Sequence, residues 1–92
     1  MLVDVVPVGA TTGIVAGLGD IKLCGVRAHK GEAGCILYSG TAATEANMVA
    51  RVGTTAGLMI QMFAKDREVP MNGVYASLES EKGCIIYYLR ND

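Results

Sequence analysis

The chain has 92 residues, eight basic and nine acidic side chains for a formal net charge of −1, and 51% apolar residues. That length gives a single domain over residues 1–92, and the apolar content excludes disorder. Charges spread without runs leave no basic face for nucleic acid or an anionic membrane.

Residues 2–19, "LVDVVPVGATTGIVAGLG", are apolar and punctuated by glycine. Asp4 and Pro7 argue against a membrane span, and Gly9, Gly13, Gly17 and Gly19 argue against a robust helix. Leu2 to Val6 reads as a strand, followed by a poor helix. Met1 is followed by Leu-Val-Asp, with neither a basic segment nor a cleavage pattern, so no secretory leader is expected and the expected location is cytoplasmic.

From Ile21 the pattern sharpens. "KLCGVRAH" alternates Cys24, Val26 and Ala28 against Arg27 and His29, as a strand with one wet face does. "KGEAG" reads as a loop and "CILYS" as a second strand, which predicts a hairpin over residues 22–39. A second hairpin is predicted over 74–89, from "VYASLES", "EKG" and "CIIYYL". The two share a phrase, "GCILY" at 34–38 and "GCIIY" at 83–87.

Between them, "EANMVARVGTTAGLMIQMFAK" (residues 45–65) predicts one long helix, capped by Thr44 or Thr41 and stopped by Pro70. At 100° per residue, Met48, Val49, Val52, Ala56, Met59, Ile60 and Phe63 share one arc, as a helix resting on a sheet requires. Beside it lies a strip of small residues, Ala46, Ala50, Gly53, Gly57 and Ala64. Two glycines should each cost such a helix about 1 kcal/mol. Their presence is explained if this strip meets a backbone closely, either that of the N-terminal segment or that of a partner helix. The lack of another long helix in the chain favours a partner and hence a dimer. Arg51, Gln61 and Asn47 argue against reading Gly53 and Gly57 as a membrane dimer motif.

The residues suited to chemistry form no persuasive constellation. Cys24, Cys35 and Cys84 are odd in number and make no CxxC pair, so buried reduced thiols are expected. His29 is the only histidine, and with the cysteines it lacks the close ligand spacing of a zinc site. Gly17 and Gly19 belong to no phosphate loop or dinucleotide fingerprint, and a single Phe with no Trp offers no stacking platform for a nucleic acid strand. No enzyme activity, cofactor or metal is expected.

In order and length of elements, residues 20 to 92 resemble the Roadblock family, the dynein light-chain type of small α/β domain. "GVRAHKGEAGCILYSG" is similar to that family's first hairpin, "TEANMVARVGTTAGLMIQMF" to its central helix, and "VPMNGVYASLESEKGCIIYYLRND" to its next hairpin. The resemblance implies an α+β sandwich-like, profilin-like fold, with an antiparallel sheet of two hairpins and a long central helix on one face. An extra N-terminal strand or short helix would complete it. It also implies a homodimer or heterodimer with a similar domain, in which central helices pack together and the following strands join.

The expected interface is then Ala46, Ala50, Gly53, Gly57, Ile60 and Ala64 on the helix, with Val74, Tyr75, Ala76, Ser77 and Leu78 as the joining edge strand. The implied function is a non-enzymatic adaptor that binds or regulates a small Ras-like GTPase, or scaffolds a signalling or motor complex. The family usually continues with a further strand beyond the point matching Asp92, a place that Leu2 to Val6 or another chain would fill. Two other functions fit the residues: a small-ligand sensor with a pocket near Gly53, Gly57 and Ala50, and a thiol enzyme using Cys35 or Cys84 with His29.

Overall fold

Period-two alternation runs through the chain and dictates strands. The segment Val74–Leu78 buries Val74, Ala76 and Leu78 and leaves Tyr75 and Ser77 half-exposed, and Cys84–Arg90 buries Cys84, Ile86 and Tyr88 in the same way. The computed structural model describes residues 3–8, 12–15 and 18–90. Nine strands appear there: β1 (Asp4–Val8), β2 (Gly13–Ile14), β3 (Asp20–Ala28), β4 (Cys35–Ser39), β5 (Met48–Val52), β6 (Ile60–Met62), β7 (Val69–Asn72), β8 (Val74–Leu78) and β9 (Cys84–Arg90). The one helical element among the described residues is a 3-10 turn at Glu45–Asn47.

These strands build two antiparallel sheets. In the first the order is β1-β9-β3, and β6 and β7 follow one another along the free edge of β3, against Gly25–Arg27 and Asp20–Leu23 respectively. In the second the order is β2-β8-β4-β5. Inward residues of both sheets form one core, in which Ile21, Leu23, Val26, Leu37, Val52, Val74 and Ile86 are fully buried. The result is an all-β sandwich.

This overturns the α+β expectation of a long central helix on an antiparallel sheet of two hairpins. The segment 45–65 is a single 3-10 turn, then β5, a turn and β6. Thr44 does precede the helical turn, but extended backbone resumes at Met48. Gly53 and Gly57 have φ of 129° and 72°, values a right-handed helix does not contain. They are turn glycines: Gly53 and Leu58 exchange backbone hydrogen bonds of 2.7 and 3.4 Å across the bend that carries the chain from one sheet to the other. Val49, Val52, Thr54, Thr55 and Ile60 in this stretch are β-branched, and that preference prevails.

Neither predicted hairpin exists as a pair. β3 and β4 lie in different sheets, as do β8 and β9. Instead the partners are exchanged: β3 pairs with β9 and β4 with β8, in matching register, with Ala28 opposite Cys84 and Leu78 opposite Cys35. Val8 of β1 flanks Cys84 as Val52 of β5 flanks Cys35. The shared phrase therefore extends to Glu-x-Gly-Cys-Ile-x-Tyr, at 32–38 and 81–87, and marks two halves whose strand pairings match. The strand expected at the N-terminus is β1, which pairs with β9; Leu2 lies outside the described residues.

The two repeated turns meet at Glu32, which is fully buried. Its carboxylate accepts hydrogen bonds from the amides of Gly34 (3.1 Å), Ser80 (2.8 Å), Lys82 (2.9 Å) and Gly83 (3.0 Å). The Glu32 carbonyl accepts from Thr54 (3.1 Å), and Ala33 accepts from Thr55 (2.8 Å), so the turn between β5 and β6 is tied in as well. Burial by itself pushes the Glu32 carboxyl up, but the amides of Ser80, Gly83, Gly34 and Lys82 outweigh it and hold the group below its ordinary value.

Candidate interaction surface

An antiparallel sheet with one solvated face should show polar side chains at alternate positions. β9 does not. Its outward residues are Ile85, Tyr87 and Leu89, and all three are half-buried. Registered residues in neighbouring strands share a face, which extends this band sideways. One row runs Val5, Tyr87, Gly25, Met62 across β1, β9, β3 and β6, and the next runs Pro7, Ile85, Arg27, Ile60. Arg27 is the only charged side chain of the two rows.

Exposure in this band is high for such residues: Val5 54%, Met62 53%, Ile60 46%. At about 4.8 Å between strands, the rows cross roughly 15 Å from the first strand axis to the fourth. Gly25 shapes the centre. A Cβ there would collide with the Met62 thioether and come within 2.8 Å of the Gln61 carbonyl, so the missing side chain lets Met62 lie over β3. At one end of the face, Val3, Lys22, Cys24, Phe63, Lys65, Asp66, Glu68 and Leu89 join Met62 around an open cavity of about 730 Å³. Cys24 sits at a bulge in β3, where burial and then the nearby Glu68 carboxylate push its thiol up.

The other sheet carries a comparable row on its own outer surface: Ile14, Tyr75, Tyr38 and Met48 across β2, β8, β4 and β5. Ile14 is 60% exposed, and the Tyr38 and Tyr75 rings meet edge to face at 6.2 Å. Tyr38 and Tyr87 are the matching tyrosines of the two repeats.

The residues expected to form a dimer strip do not share a surface. Ala50, Val74, Ala76 and Leu78 are buried in the core, and Gly53 is packed against the Ala33 backbone. Ala46, Gly57 and Ala64 are exposed at separate turns and loops, while Tyr75 and Ser77 lie on the outer face of the second sheet. Ile60 alone among them falls on the apolar face of the first sheet. Nor is Val74–Leu78 an edge strand, since β8 lies between β2 and β4.

The ligand pocket expected near Gly53, Gly57 and Ala50 is not where the cavity lies, and the space beside Gly53 is filled by Ala33 and Gly34. For a thiol nucleophile the setting is adverse: Cys35 and Cys84 are fully buried, and the Cys84 contact and then burial push the Cys35 thiol far up. Among the described residues no group of three His, Cys, Asp or Glu side chains is placed to hold a metal ion, and no helix is long and apolar enough to cross a membrane.

The outward face leaves a signal in the sequence. "CIIYYL" contains no polar residue in either phase of its alternation, which a strand with one wet side would supply. No family model, curated protein or solved structure matches this chain.

Proposed function

We propose that this domain is a non-enzymatic assembly module that associates with a second copy of itself through the outer face of its five-stranded sheet. The observation that carries this reading is the pair of cross-strand rows containing Val5, Tyr87, Met62, Pro7, Ile85 and Ile60, interrupted by one charge. Exposed apolar patches of this extent are usually interaction sites. A second copy suits it because a twofold pairing uses the same patch on both chains, so one apolar face covers the other, and two sheets stack about 10 Å apart. A net charge of −1 per chain opposes such pairing little. The small Ras-like GTPase expected as partner rested on the helix-on-sheet resemblance; the adaptor role is retained here on a different surface.

Sedimentation across a concentration series tests the proposal. Wild type should shift from monomer to dimer, and Met62→Lys or Val5→Lys should move the midpoint at least tenfold higher while leaving the melting temperature within a few degrees. A wild-type monomer at all concentrations would sink it.

A second reading, binding of a small amphipathic ligand, is favoured by one observation: the cavity is lined both by apolar Val3, Met62, Phe63 and Leu89 and by charged Lys22, Lys65, Asp66 and Glu68. Thermal shifts across a metabolite panel, lost in a Phe63→Ala variant, would support it over self-association.

A further inference from the structure

Cys35 opens β4 and Cys84 opens β9, in the two facing sheets, and their Sγ atoms lie 2.8 Å apart in the core. Both side chains are fully buried. Each follows a turn glycine whose carbonyl is fixed by the opposite repeat: the Glu79 amide donates to Gly34 at 2.8 Å and the His29 amide to Gly83 at 3.1 Å. The strand partners on either side, Val8 and Ala28 for Cys84 and Val52 and Leu78 for Cys35, are aliphatic. No other polar side chain competes for either sulfur among the described hydrogen bonds. Two thiols this close, at the starts of two matching strands, need less than about 1 Å of closure to reach the S–S bond length of about 2.05 Å.

We propose that Cys35 and Cys84 form a redox couple, whose oxidised state is an inter-sheet disulfide made by exchange with a low-molecular-weight disulfide such as oxidised glutathione. One cysteine thiolate attacks a sulfur of the oxidant, and the first glutathione leaves as thiolate and takes up the proton released. The second cysteine thiolate then attacks the protein sulfur of that mixed disulfide and expels the second glutathione. The protein loses two electrons and two protons, and one small disulfide becomes two thiols.

Access limits the rate. Glutathione cannot reach either sulfur while Glu32 ties the turns at that end, so exchange proceeds during folding or through opening of those turns. The Cys84 contact and burial, which hold the Cys35 thiol up, slow it further in the closed state. Cys24 stands apart, at the β3 bulge beside the outer cavity, and stays a thiol.

Refolding from urea in glutathione buffers of graded potential removes the access barrier and tests the couple. Remaining thiols are alkylated under denaturing conditions and weighed by intact mass spectrometry. At the oxidising end two of the three thiols should vanish without retained glutathione, and peptide mapping should join residues 35 and 84. Cys24→Ser should behave in the same way, with no alkylatable thiol left. The oxidised protein should melt several degrees above the reduced one, because the bond links residues 49 apart. Three alkylatable thiols in the most oxidising buffer, glutathione retained on both Cys35 and Cys84, or a bond that includes Cys24 would each overturn the proposal.

Discussion

Glu32 shows how much a single side chain can decide. Four amides converge on its carboxylate from two turns, and no neutral side chain offers two oxygens with comparable acceptor strength. Glu32→Gln should cost about 3 kcal/mol, measured by urea denaturation at pH 7, because amides lose a charged acceptor in a buried site. The pH dependence follows from the direction of the shift. Held below the ordinary glutamate value of about 4.3, the group contributes fully above that pH, and its contribution is lost as pH falls through the lower folded-state value. Wild-type stability should thus fall steeply below about pH 4, and the Gln variant should show a shallower acid slope over the same range. This role was not legible in "KGEAG". The equivalent Glu81, in the matching turn, is exposed with a φ of 56°, so identical letters in similar loops hide opposite environments that only the crossing of strands creates.

At the scale of elements, the stretch from Met48 to Met62 fits two periodicities, and the wrong one looked coherent. Read at 100° per residue its apolar side chains fill an arc; read at 180°, "MVARV" alternates, and the glycines mark the bend between β5 and β6. What separates the readings is glycine geometry, and substitutions should expose it. A Cβ on Gly53, at φ 129°, would overlap the Ala33 carbonyl, whereas Gly57, at φ 72°, has nothing within 4 Å. Gly53→Ala should therefore cost about 3 kcal/mol or more, and Gly57→Ala about 1 kcal/mol from backbone strain alone, each measured by urea denaturation. Equal costs would count against this turn. The strands at "KLCGVRAH", "CILYS", "VYASL" and "CIIYYL" were legible because their alternation is strong and local. Their partners were not, because a short loop suggests a hairpin and says nothing about a corner that changes sheet.

For the molecule as a whole, that exchange of partners makes nearly every sheet contact a distant one. β1 pairs with β9, so Val8 lies opposite Cys84, and β3 and β4 find their neighbours in β9 and β8. Loops this long must close before any pairing stabilises them, so refolding should take roughly milliseconds to seconds and not microseconds. Stopped-flow fluorescence of the four tyrosines would report it, and a microsecond phase carrying the full amplitude would contradict the topology. β9 also occupies an interior position, between β1 and β3. A nascent chain leaving the ribosome would therefore hold the facing edges of β1 and β3 unpaired in solution until β9 emerged, and during that interval it would depend on chaperones or on the tunnel itself to keep those edges from neighbouring nascent chains.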